Sequence, residues 1–175
     1  LQNLFHMNSL EEGHLFFDVL LHLGTLVSIF ICYWWDICDM VREVFIVLRG
    51  GRTASGERIK QPLPAARLFL LLVIATLPLV FIVPINDLVE ELYYQSWFIG
   101  IAFMLTGCLL FVSDKMTPGT KTEKTMRIRD AVIIGCCQCV ATIPGLSRSG
   151  TTITAGIATG LDRNFAMRFS FLLSI

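Results

Sequence analysis

The segment Pro144-Gly145-Leu146-Ser147-Arg148-Ser149-Gly150-Thr151-Thr152 interrupts an apolar run from Ala131 to Gly160, and Arg148 is the one charge in that run. An arginine near the bilayer centre costs at least ~2.5–3.5 kcal/mol, so such residues face cavities and mark substrate paths. Pro144 removes a backbone donor, and Gly145 permits angles closed to other residues. The chain is then expected to re-enter a helix near Ser149 to Thr151, with Ser149 as N-cap. N–H groups at that new terminus, the hydroxyls of Ser147, Ser149, Thr151 and Thr152, and the Arg148 guanidinium make a donor cluster suited to phosphate oxygens. Packing alone would explain the small residues, but it does not require an arginine.

Outward from this segment the chain is 54% hydrophobic and 16% charged, against roughly 25% charged in soluble domains. The fold class expected is all-α, a polytopic integral membrane protein. Spans are expected at about 15–35, 68–85 and 97–113, each near the ~20 residues that cross a hydrocarbon core. Pro78 and Pro84 should kink or end the second. A helix from 165 runs to the last residue, and with Leu1 at the start the chain is expected to be an internal piece of a longer one.

Basic residues set the orientation. Arg42, Arg49, Arg52, Arg58, Lys60 and Arg67 fall between the first two spans, and Lys115, Lys121, Lys124, Arg127 and Arg129 follow the third. Residues 1–14 and 86–96 carry acids and no Lys or Arg. The positive-inside rule places 36–67 and 114–130 in the cytoplasm. Arg163 suggests the same side for the end of the fourth segment. Residues 131–160 then form a re-entrant hairpin that rises, turns at Pro144–Gly150 and descends. Such irregular backbone survives in a membrane only when buried in protein or lining a wet cavity. The alternative is one kinked spanning helix of about thirty residues with Arg163 outside.

Asp18 and His22, spaced i, i+4, share a helix face in the outer part of the first span. They supply a proton relay, a metal ligand or an orienting contact, or else satisfy each other near the headgroups. Gln138 is expected to support the loop by hydrogen bonding its backbone. Gly156-x-x-x-Gly160 reads as a small-residue packing face. The six cysteines lie mostly in apolar segments as packing residues, and the 136–139 cluster lacks a second ligand pair for a metal. Trp34 and Trp35 fit an inner aromatic belt. Nucleic-acid binding is not expected without a folded basic domain.

Ile134-Gly135-Cys136-Cys137-Gln138-Cys139, the Pro144–Thr152 segment, Phe17-Asp18-Val19, Leu23-Gly24-Thr25 and Phe169-Ser170-Phe171-Leu172-Leu173 together resemble the undecaprenyl-diphosphatase family, also called bacitracin-resistance proteins. The resemblance implies a multi-pass enzyme of the bacterial cytoplasmic (inner) membrane, built from inverted repeats with paired re-entrant hairpins. It would remove the terminal phosphate of undecaprenyl diphosphate, regenerating the lipid carrier of cell-wall synthesis, at a site open to the external side. By position, Ser147, Arg148 and Thr152 match catalytic residues, and Gly145, Ser149, Gly150 and Thr151 the substrate-binding loop. A divalent cation, Mg²⁺ or Ca²⁺, is implied as cofactor. The family's glutamate-rich and Ser-Ser-x-Gly-His motifs do not occur in residues 1–14, so that half of the site is expected upstream of Leu1 and this piece alone is expected to be inactive. The partners are a polyprenyl diphosphate and the bilayer, and a homodimer is compatible with this reading. A secondary transporter or flippase for an anionic lipid or solute is the competing class, because broken helices aimed at a midplane anion are also transporter architecture. A purely structural subunit is the third.

Overall fold

The computed structural model describes residues 19–49, 63–82, 84 and 96–175. Asp18, the loops 1–14 and 86–95, Arg52, Arg58 and Lys60 lie outside the described residues. The described part is helical: α1 Val19–Cys32, α2 Trp34–Leu48, α3 Pro64–Thr76, α4 Ser96–Lys115, α5 Ile128–Val140, α6 Arg148–Ala158 and α7 Arg163–Leu173. The helical runs Pro64–Phe81 and Trp97–Lys115 are long and apolar enough to cross a membrane. Their outward residues, such as Phe69, Leu70, Phe103 and Met104, are exposed, as lipid-facing side chains must be. The protein is an all-α polytopic membrane protein.

The first apolar segment is not one straight span. It breaks at Tyr33, and α2 leaves α1 at 72°. Asp36, Asp39, Arg42 and Glu43 all lie on α2, charges that cannot continue a lipid-embedded helix at low cost. The bend lets Glu43 reach the start of α3, where its carboxylate accepts the Ala66 N–H at 2.8 Å.

Helix α3 starts at Pro64, where a proline's missing N–H is harmless. Arg67, read above as a loop residue, therefore lies in its first turn. From there Arg67 donates to the carbonyls of Lys124 and, at 2.8 Å, Met126. Pro78 converts the last turn into a 3₁₀ helix, Leu77–Phe81. Leu68, Leu71 and Ala75 on α3 are buried with Ile134 of α5 and with Phe169 and Ala166 of α7.

Helices α5 and α6 fold back on one another. An unbroken helix of this length would separate its ends by ~45 Å. Instead Lys121 Nζ lies 2.9 Å from Asp130 Oδ2 at the start of α5 and 2.6 Å from the Thr159 carbonyl at the end of α6. The hairpin's base is sewn to the preceding loop by Lys121 N–H to Gly160 O, Asp162 N–H to Lys121 O and Gly119 N–H to Leu161 O, at 2.9–3.1 Å. Gly160, expected as a packing residue, ends α6 at φ +89°. Leu161 N–H bonds Gly156 O and Gly160 N–H bonds Ile157 O, the two bonds of a Schellman stop. Gly156 packs close against Ala166 of α7, and the Gly160 backbone packs close against Gly119.

Candidate active site at the hairpin tip

After α5 ends, Leu146 N–H bonds Ile143 O at 3.1 Å and closes a tight turn over Pro144. Gly145 takes φ +89° there, and a Cβ at this position would stand 2.8 Å from Ala102 Cβ and 3.0 Å from Ile99 O of α4. Both the angle and the space demand glycine. The turn finishes early enough that α6 begins at Arg148, so Ser147, not Ser149, is its N-cap. Ser147 Oγ accepts the Gly150 N–H at 3.1 Å, and the Ser147 carbonyl accepts the Thr151 N–H at 2.9 Å. Gly150 and Thr151 have thus spent their N–H groups within the loop. The first-turn donors left over are the N–H groups of Arg148 and Ser149, at the positive end of the α6 dipole.

Thr106 fastens the loop from α4. Its hydroxyl donates to Gly145 O and accepts the Ser147 N–H, both at 3.1 Å. Thr152 is buried and donates back to Arg148 O at 2.9 Å. Its Oγ1 also lies 2.5 Å from Ser170 Oγ of α7, and Ser170 reaches Ser149 O at 3.4 Å. Thr151 Oγ1 returns to Ser147 O at 2.9 Å. Ser147 Oγ and Ser149 Oγ are 3.5 Å apart.

Arg148 is exposed, and the one hydrogen bond of its guanidinium among the described residues is Nη2 to Ser174 O at 3.3 Å. It lines a cleft of about 620 Å³ together with His22, Leu26 and Ile29 of α1 and with Ser174 and Ile175. Structure therefore brings His22 and Arg148 to one cavity, although 126 positions separate them in the numbering. Beside it runs an apolar groove of about 490 Å³, lined by residues including Phe30, Met40, Leu72, Val80 and Leu173, and the two cavities share Ile175.

Gln138 departs from expectation. It is 3% exposed, and its Oε1 has no partner among the described residues. No hydrogen bond joins it to the loop. It lies three positions beyond Gly135, and hence on the same helix face, which is set against Ala75 and Pro78 rather than the loop.

Thr106, Ser170 and Ser174 were missed by sequence reading. Single hydroxyls in apolar helices read as lipid-tolerated residues, and only the rule that buried polar groups find partners hinted otherwise.

For an implied divalent cation the donor set is insufficient here. Among the described residues, no three His, Cys, Asp or Glu side chains stand together as ligands.

The chain matches the family described as bacitracin resistance protein BacA over residues 1–175. An undecaprenyl-diphosphatase of Methanosphaera stadtmanae is 38% identical over 168 residues, covering 94% of this chain and 60% of that protein. One of Alkaliphilus metalliredigens is 37% identical over 166 residues, with coverage of 94% and 60%. The undecaprenyl-diphosphatase 4 of Bacillus thuringiensis is 39% identical over 170 residues, with coverage of 97% and 58%. The chain thus spans about 60% of the length of the curated relatives it matches. It belongs to the bacitracin resistance protein BacA family.

Proposed function

We propose that the full-length protein hydrolyses the terminal phosphate of undecaprenyl diphosphate, releasing undecaprenyl phosphate for reuse in cell-wall synthesis. The carrying observation is that Arg148 lines a cleft that also holds His22 and adjoins an apolar groove. The relatives' names agree with that chemistry. Phosphoryl transfer passes through a loose transition state with charge spread over three equatorial oxygens, so positioning and electrostatics supply most of the catalysis. The Arg148 guanidinium offers a planar fork to those oxygens, and the Arg148 and Ser149 N–H groups add fixed dipoles that need no reorganisation.

Water oxygen bonds to the terminal phosphorus, and the bond from that phosphorus to the bridging oxygen breaks. The bridging oxygen leaves on undecaprenyl phosphate, and the water's proton passes to a base. His22, on the same cleft, is suited to take that proton. Ser147 either positions the water or attacks first. As nucleophile it would attack through its second lone pair, give its proton to a base and carry the phosphoryl group until water removes it, the other lone pair still accepting the Gly150 N–H. The polyprenyl chain lies along the apolar groove, so the substrate enters sideways from the bilayer. Mg²⁺ or Ca²⁺ belongs to the proposal as a required partner, tested by loss of activity in EDTA and its return with either ion.

Phosphate release from undecaprenyl diphosphate by the full-length protein in detergent tests the reading. Wild type should release phosphate, Arg148→Ala should lose at least ~10²-fold, and Ser147→Ala should be strongly impaired. No release by wild type, with substrate-driven exchange in vesicles instead, would make this a transporter. For topology we propose a cytoplasmic-membrane protein with the hairpin tip reaching the outer side. A cysteine at Asn164, in a background without the six native cysteines, should then resist an impermeant external maleimide. External labelling there would reverse the orientation.

A further inference from the structure

The cleft depends on two helices that meet far from it. Helix α1 brings His22, yet no residue from Val19 to Cys32 is buried. The 72° bend where it joins α2 is one determinant of its direction. From His22 to Tyr33 the helix runs ~16 Å, so a 10° change at the bend would move His22 by ~3 Å.

Two contacts seat that bend on α7. Arg168 Nη2 meets Asp36 Oδ1 at 2.5 Å, both side chains half-buried. The Tyr33 ring lies 6.3 Å from that of Phe171. Tyr33 and Asp36 are three residues apart, as are Arg168 and Phe171, so each pair forms one stripe of its helix. Arg168 Nε is buried with no partner among the described residues, which leaves Asp36 as the group that compensates the guanidinium. The adjoining face of α7 holds the hairpin-tip loop, through Ser170 to Thr152 and Ser149 and through Ser174 O to Arg148. One helix thus grips both walls of the cleft.

We propose that Arg168 and Asp36 are positioning residues for the phosphatase reaction, a clamp that fixes His22 against Arg148; this rests on the function proposed above. The pair touches no substrate. Its loss lets α1 swing while the loop stays formed, so chemistry suffers more than affinity.

The test uses the full-length protein, cysteine-free apart from spin labels at Leu20→Cys and Ala158→Cys, both exposed positions. Wild type should show one narrow distance. Arg168→Gln should broaden or shift it by several ångströms, and in the unlabelled enzyme lower kcat about tenfold with KM within twofold. Exchanging the charges, Asp36→Arg with Arg168→Asp, should restore the narrow distance and bring kcat back to within about threefold. If Arg168→Gln does not fold, Asp36→Asn carries the same comparison. An unchanged distance in the single variants, or a folded charge exchange that stays broad, overturns the clamp. A wild-type protein that releases no phosphate would remove the functional reading, while the distances would still decide the clamp.

Discussion

At the base of the α5–α6 hairpin Lys121 and Arg163 are each held by several groups, whereas at its tip the Arg148 guanidinium is held by one carbonyl. Lys121 joins Asp130 to Thr159 O. Arg163 closes the end of α4 through Ser113 O, Asp114 O and Met116 O at 3.1–3.4 Å, the favourable end of that helix for a cation. Asp162 caps α7 through the N–H groups of Asn164 and Phe165. Arg148 has Ser174 O at 3.3 Å and a cleft in front of it. Charges that hold a fold are satisfied within it. A charge left facing a cavity is available to a ligand, and that contrast separates structure from chemistry in one hairpin.

The contrast breaks first at Gly119. A Cβ there would stand 1.9 Å from the Gly160 carbonyl oxygen, a backbone clash that no rotamer relieves. Gly119→Ala should open the base and sharply lower the yield of folded protein on size exclusion in detergent, a destabilisation above ~3 kcal/mol. Lys121→Met comes next, leaving the buried Asp130 carboxylate without its cation. A loss of roughly 2–3 kcal/mol is expected, at or below the lower end for broken buried pairs because Lys121 is 29% exposed and partly screened. Thermal unfolding in detergent measures it, and Lys121→Met with Asp130→Asn should recover part of the loss.

The same pair gives a pH dependence. Burial works to raise the Asp130 pKa, but the Lys121 hydrogen bond, the Arg127 N–H and the charges of Lys121 and Arg129 outweigh it and hold the carboxyl below 3.8. A depressed carboxyl contributes stability above its unfolded pKa and loses it as pH falls through the folded one. The contribution is therefore intact at neutral pH, begins to fall near pH 3.8 and is gone only once pH has passed below the depressed folded pKa. Asp130→Asn should flatten the acid limb of the unfolding midpoint against pH. The smallest effect is expected at the tip: Ser170→Ala removes one hydroxyl from Thr152 and should cost ~1 kcal/mol, with a modest fall in phosphate release.

How much of this was legible beforehand follows the range of the contacts. Helix character, the break at Pro144-Gly145 and the donor loop depend on neighbours a few residues apart, and periodicity with turn chemistry exposes them. Local sequence points to Ser149 as the cap, because the turn's length is set by Gly145 against α4, a contact between distant positions. The bend at Tyr33 has no proline or glycine to announce it. It is held by Arg168, far along the chain. Thr106 and Ser170 likewise act across 41 and 18 positions. The spacing with Asp18 singles out His22 in the sequence, but the cavity it shares with Arg148 exists only through the fold.

We assign the tip arginine, Arg148, to chemistry and the base arginine, Arg163, to the fold. Steady-state phosphate release and thermal unfolding of full-length Arg148→Ala and Arg163→Ala, taken side by side, test it most directly. Arg148→Ala should lose at least ~10²-fold in kcat/KM with its unfolding midpoint nearly that of wild type, and Arg163→Ala should lose midpoint while its folded fraction turns over normally. Wild-type turnover by Arg148→Ala would contradict the account.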